Sequence, residues 1–116
     1  MEIAEHIAFL EADGARLAAA AEQSGWDAAV PSLDWTVREL VAHTGGVHRW
    51  AADIVARCSA TTDTELGGAV GSGPSDDALL DWFVEGHAAL VATLRAAPDD
   101  LECATFLPAP SPLAFW

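Results

Sequence analysis

The sequence predicts an all-α protein, an antiparallel four-helix bundle with three long helices and only the start of the fourth. Three stretches with apolar residues at helical spacing predict the long helices. A capping signal precedes the second stretch, and a proline-rich connection leads into a final Ser-Pro step that is typical of a helix start. The length of 116 residues favours a single domain, 1–116, around one modest core.

The chain is strongly acidic, and this argues against two classes of partner. It has 18 aspartates and glutamates against five arginines and no lysine, which gives a formal charge of −13. Nucleic acids and anionic membrane surfaces are bound by clusters of basic residues, so we expect neither partner. No stretch is long and apolar enough for a transmembrane helix, and the acidic start does not resemble a secretory signal.

The two cysteines, Cys58 and Cys103, are far apart in the sequence and form no CxxC pair. We expect two reduced thiols and a cytoplasmic location, with one disulfide or a reactive thiol as the alternatives.

The first helix is predicted over residues 2–23. Gly25 follows it as a stop signal, because glycine readily adopts the backbone conformation of a helix C-cap. Its apolar residues recur at helical spacing, at Ile3, Ile7, Leu10, Leu17 and Ala21.

The second helix is predicted over residues 37–58, with Thr36 and Glu39 forming a capping box. Residues 59–75 are rich in Ser, Thr, Gly and Asp. They lack the preceding strand and following lysine of a phosphate-binding loop, so we expect an ordinary mobile loop. The predicted inward face of the second helix consists of Leu40, His43, Thr44, Val47, Ala51, Ile54, Val55 and Cys58.

The third helix is predicted over residues 76–96, with Ser75 as its cap and Pro98 beyond its end. The fourth begins at about residue 111, where Ser111 is a candidate N-cap and Pro112 the first helical residue. The sequence stops about one turn later. We therefore expect either a fragment or an apolar end that packs on another surface.

The histidines are the main candidates for chemistry. His43 lies in the middle of the predicted inward face, although a lone buried histidine is more often a hydrogen-bonded core residue than a metal ligand. His48 lies about 140° further round the helix, and His87, on the apolar face of the third helix, could approach His43 or could be a core or rim histidine. His6 is expected to be solvated. A metal site needs about three protein ligands. The residues alone offer one good candidate ligand, His43, and do not predict a complete site.

Residues 31–50, PSLDWTVRELVAHTGGVHRW, carry a recognisable pattern, P-x-x-x-W-T-V-R-x-L-V-A-H-x-G-x-V-H-R-W. This stretch resembles the N-terminal domain of the mycothiol-dependent maleylpyruvate isomerase family, within the DinB-like superfamily. Weaker similarities continue in the expected order to the final segment 111–116. The resemblance thus spans nearly the whole chain.

The resemblance implies a DinB-like bundle that binds a divalent metal, with zinc as the first expectation, and takes mycothiol as thiol cosubstrate. His43 matches the family's first metal ligand. The other two, a Glu and a His in an E-x-x-x-H step of the fourth helix, lie beyond the point where the sequence stops. The metal lowers the pKa of its bound thiol in this family's isomerases and S-transferases.

No catalytic residue is assigned from the resemblance. His48, Arg49 and His87 are the candidates for contacting substrate or for supporting the metal ligand.

Two functions are therefore expected from the sequence. The first is a metal- and thiol-dependent isomerase or transferase domain. The second is a non-catalytic helical module that has lost the metal site and binds a partner. Three helices would leave an apolar groove, so we expect a homo-oligomer in which a second chain completes the bundle.

Overall fold

The computed structural model describes residues 2–116, and these residues form five helices joined by loops. The helices are α1 (Ile3–Ser24), α2 (Val37–Arg57), α3 (Glu65–Gly68), α4 (Asp76–Ala96) and α5 (Pro112–Phe115). The predicted all-α fold is confirmed, and the three long helices agree with their predicted spans to within one residue at each end. An isolated antiparallel bridge joins Ala29 and Thr36 in the connection before α2.

The ends of α1 and α2 follow from the residues that cap them. Gly25 has a φ of 84°, and its N–H donates to the carbonyl of Ala21 and closes α1. At the start of α2, the backbone N–H of Glu39 donates to the Thr36 hydroxyl at 3.3 Å. The Thr36 N–H donates in return to the Glu39 carboxylate at 3.2 Å, so the predicted capping box is confirmed.

The caps of α4 and α5 differ in one respect. Ser75 is the N-cap of α4 as predicted, but its side chain makes no capping hydrogen bond. Ser111 caps α5 through a hydrogen bond donated by the Ala114 N–H at 3.1 Å, and Pro112 is the first helical residue. The helix predicted to begin at about residue 111 is confirmed.

The core lies where α4 packs between α1 and α2, and it has two parts. One part joins the start of α1 and the later halves of α2 and α4 to α5, through Ile7, Ala51, Val55, Leu90, Val91, Leu94, Leu101 and Leu113. The other lies where the end of α1 meets the starts of α2 and α4, through Ala21, Val41, Ala42, Leu79 and Phe83.

Residues 59–75 contain more order than the predicted loop. Thr64 accepts a hydrogen bond from the Gly67 N–H at 3.3 Å and thereby caps the single turn of α3. The indole N–H of Trp50, on α2, donates to the Thr62 carbonyl at 3.0 Å and holds the segment against the bundle. A four-residue helix shows no hydrophobic periodicity, so α3 could not be predicted from the sequence.

Aromatic side chains fasten the end of the described chain to α2. The Trp116 ring meets the Trp50 ring edge-on at 5.4 Å between centroids, and the Phe106 ring stacks on Trp50 at 5.8 Å. The indole N–H of Trp116 also donates to the Ala104 carbonyl at 2.9 Å. The connection and α5 are therefore tied to the bundle together.

No helix within residues 2–116 has the length and apolar character needed to cross a membrane.

Candidate functional site

The structure places His43 on the surface, so its predicted position on the inward face of α2 is wrong. The His43 side chain is exposed, and its ring lies 5.1 Å from the Trp35 ring between centroids. Cys58, also predicted to face inward, is exposed as well. The buried residues of α2 are Val41, Ala42, Gly45, Gly46, His48, Ala51, Ile54 and Val55.

Two glycines explain this rotation of α2. A Cβ on Gly45 would overlap the ring of Trp82 on α4, and a Cβ on Gly46 would lie 3.0 Å from Cα of Val70. Both glycines therefore sit at places of close approach, and the inward face is centred on small residues. Glycine has little weight in a hydrophobic pattern. The inward face predicted from that pattern was therefore rotated around α2 by about one residue position.

His48 and His87 form a buried pair between α2 and α4. Their side chains are 8% and 9% exposed, and the ring centroids are 5.6 Å apart. Phe83 packs on both rings, at 5.5 Å from His48 and 6.1 Å from His87. Of the predicted alternatives for His87, the structure shows a hydrogen-bonded core histidine, and its neighbour is His48 rather than His43.

A backbone hydrogen bond determines the tautomer of His87. Its Nε2 lies 2.9 Å from the carbonyl oxygen of Leu10, on α1. Because a carbonyl oxygen can only accept, Nε2 must carry the proton in this bond. The ring reaches the α1 backbone through the space next to Gly14, where a Cβ would overlap the imidazole.

His48 is held in its neutral form at neutral pH. Burial, with a further contribution from neighbouring His87, lowers the pKa of His48 from 6.5 to about 4. Its Nδ1 is buried and has no hydrogen-bond partner within residues 2–116. The pair therefore consists of two imidazoles inside the bundle, and His48 has a buried ring nitrogen without a partner among the described residues.

Arg49 lies against α4 rather than in open solvent. Its Nη2 donates to the Trp82 carbonyl at 2.8 Å, and its guanidinium carbon lies 4.9 Å from the centroid of the Trp82 ring. This distance is typical of a cation–π contact.

The described residues do not assemble a metal centre. Within residues 2–116, no group of three or more His, Cys, Asp or Glu side chains is placed to hold a metal ion. In this part of the chain, neither His43 nor the buried His48–His87 pair belongs to such a group. A mononuclear protein site needs about three ligands, so these residues do not fit one by themselves.

Comparison with known proteins identifies the family. A family model described as the mycothiol maleylpyruvate isomerase N-terminal domain matches residues 8–116. The matched range includes the whole motif at 31–50 and the four helices α2 to α5. No curated protein and no solved structure matches the chain. Because the family model covers nearly the whole sequence, the chain belongs to the mycothiol maleylpyruvate isomerase N-terminal domain family, which is DinB-like.

Proposed function

We propose that this chain is the thiol-binding helical domain of a mycothiol-dependent isomerase or S-transferase that acts in the cytoplasm. The observation that carries the proposal is the family match over residues 8–116. The fold supports it, since the match includes α2 with its motif and α4, which packs on α2. The small-molecule thiol, mycothiol, is the expected ligand.

His43 is the residue that we assign to a ligand-binding role. It is the histidine of the V-A-H step, and it is exposed, whereas His48 and His87 are enclosed in the bundle. We propose that His43 contributes one ligand to a divalent metal, zinc by preference. Because the described residues offer no complete ligand set, we assign no reaction step to that metal.

A second candidate function is a non-catalytic module that binds a partner or a second copy of the chain. Two observations favour it. Residues 2–116 contain no three-ligand group, and Phe106 and Leu107 are adjacent apolar side chains that are 57% and 59% exposed. Exposed apolar residues side by side are a common feature of interaction surfaces.

Calorimetric titration of the purified chain with mycothiol tests the first function, with glutathione as the control thiol. We expect saturable binding of mycothiol and none of glutathione. If mycothiol shows no saturable binding with or without added zinc, the thiol-binding proposal fails. Sedimentation of the same sample then tests whether the chain binds a second copy of itself, since that form of the second function requires an oligomer.

Zinc titration of the His43→Ala variant tests the metal role separately. We expect H43A to bind less zinc than the wild-type chain. The matched control is His6→Ala, because His6 is also an exposed histidine on a helix. Equal zinc binding by the wild-type chain and H43A would remove His43 from the proposed ligands.

A further inference from the structure

One arginine differs from the other four in its charge partners. The chain contains 18 carboxylate side chains and only five arginines, so almost every arginine has a carboxylate within reach. Within residues 2–116, five ion pairs join Arg16 to Asp13, Arg38 to both Asp27 and Asp76, Arg57 to Asp53 and Arg95 to Glu11, at 2.6–3.1 Å. Within residues 2–116, Arg49 has no carboxylate partner.

Arg49 also differs in the surroundings of its donors. Its Nη2 donates to the Trp82 carbonyl, but its Nε is buried and has no acceptor within residues 2–116. Gly86 provides the room for this arrangement, since a Cβ there would lie 3.1 Å from Nε. Because Nε is buried against Gly86, the donors left for an added acceptor are those of Nη1, which is not buried and has no acceptor within residues 2–116.

The guanidinium borders a cavity of about 240 Å³ between α2, α4 and the segment 66–74. Its walls include Gly46, Leu66, Ser72, Gly73 and Trp82, and none of its lining residues is an aspartate or a glutamate. In a chain of charge −13, this cavity combines one cation with mainly apolar walls.

We propose that this cavity binds a small monocarboxylate with a short apolar body. The guanidinium fork of Arg49 matches the two oxygens of a carboxylate, and Trp82 and Leu66 would cover the apolar part. One arginine suits a single negative charge better than a phosphate dianion, which is usually bound by several cationic or backbone donors.

The site is separate from His43 and does not depend on the proposed thiol function. Arg49 lies six residues after His43, which places it about 120° away around α2. A ligand in this cavity would therefore approach the helix from a different side.

An NMR titration of the 116-residue chain tests the proposal, with butyrate and its uncharged analogue butyramide as probes. We expect butyrate to shift the Arg49 Nε–H signal and the Ser72 and Gly73 amides saturably, with a Kd of about 1 mM. Butyramide should shift none of them. Equal shifts with butyramide, tighter binding of inorganic phosphate, or the absence of saturation would each overturn the proposal.

Three variants identify the residue responsible. R49Q should weaken butyrate binding at least about tenfold. R49K keeps the charge but loses the fork, so its affinity for butyrate should lie between those of wild type and R49Q. R57Q is the matched control, since it removes the same charge from an exposed arginine on α2 and should bind like wild type. Unchanged affinity in R49Q contradicts the proposal. If R49Q does not fold, R49K and the comparison of butyrate with butyramide on wild type decide the question.

Discussion

The imidazole of His87 occupies the space in which a side chain on Gly14 would begin. Through this gap its Nε2 donates to the carbonyl of Leu10, one turn earlier on α1, at 2.9 Å. A side chain of α4 is thus hydrogen-bonded to the backbone of α1. The absence of a Cβ at residue 14 therefore controls how closely these two helices pack.

We predict that Gly14→Ala destabilises the protein by about 2 kcal/mol, because the buried imidazole must move and lose its hydrogen bond. This loss exceeds the gain of about 1 kcal/mol that alanine normally brings to a helix. Urea unfolding measures the difference. Gly68→Ala is the control, since nothing lies within 4 Å of a Cβ at residue 68, and it should leave stability nearly unchanged.

The same substitution should behave differently when the imidazole is absent. In a His87→Ala background we expect Gly14→Ala to be neutral or stabilising, because the space is then free. An equal loss of stability in both backgrounds would show that the contact between residues 14 and 87 is not the cause.

The second prediction concerns pH and His48. The pKa of His48 is about 4 in the folded protein, against an ordinary value of 6.5. Between these values the unfolded chain binds a proton that the folded chain does not, so stability falls as the pH decreases from 6.5 to 4. The contribution of His48 to the free energy of unfolding is complete above pH 6.5, and about 3 kcal/mol is lost across this window.

Urea unfolding at pH 7 and pH 4.5 measures this loss in wild type and in His48→Leu. The variant should lose clearly less stability between the two pH values, because the buried imidazole is gone. His6→Leu, at an exposed histidine, should keep the wild-type dependence. An unchanged pH dependence in His48→Leu would disprove the assignment.

The third prediction compares two helix caps. The Thr36 hydroxyl accepts a hydrogen bond from the backbone at the start of α2, whereas the Ser75 side chain makes none at the start of α4. Thr36→Ala should therefore destabilise the protein by about 1 kcal/mol, and Ser75→Ala by much less. Thermal unfolding of both variants provides the measurement, and equal shifts of Tm would contradict the role of the Thr36 hydroxyl.

The helices could be predicted from the sequence because their signals are local. Thr36 and Glu39 at the start of α2, Gly25 after α1, and Ser111 with Pro112 at α5 each act on backbone groups within a turn of themselves. The family could also be identified from the continuous motif at 31–50, because its residues are adjacent in the sequence.

The direction in which α2 faces could not be predicted, because it depends on contacts with distant parts of the chain. Gly45 meets Trp82 and Gly46 meets Val70, and neither contact leaves a trace in hydrophobic spacing. The same rotation exposes His43 and buries His48 beside His87. A closer signal was available in the two adjacent glycines, which are costly inside a helix unless another segment approaches there.

The packing of Leu113 in one core cluster with Ile7 and Ile3 joins residues that are more than a hundred positions apart in the sequence. Forming this contact closes a loop of almost the whole chain, so we expect it to form late in folding because of the entropy that such a loop loses. Conversely, release of α5 uncovers the first turns of α1. Amide hydrogen exchange in these two segments should therefore rise and fall together, as one cooperative unit.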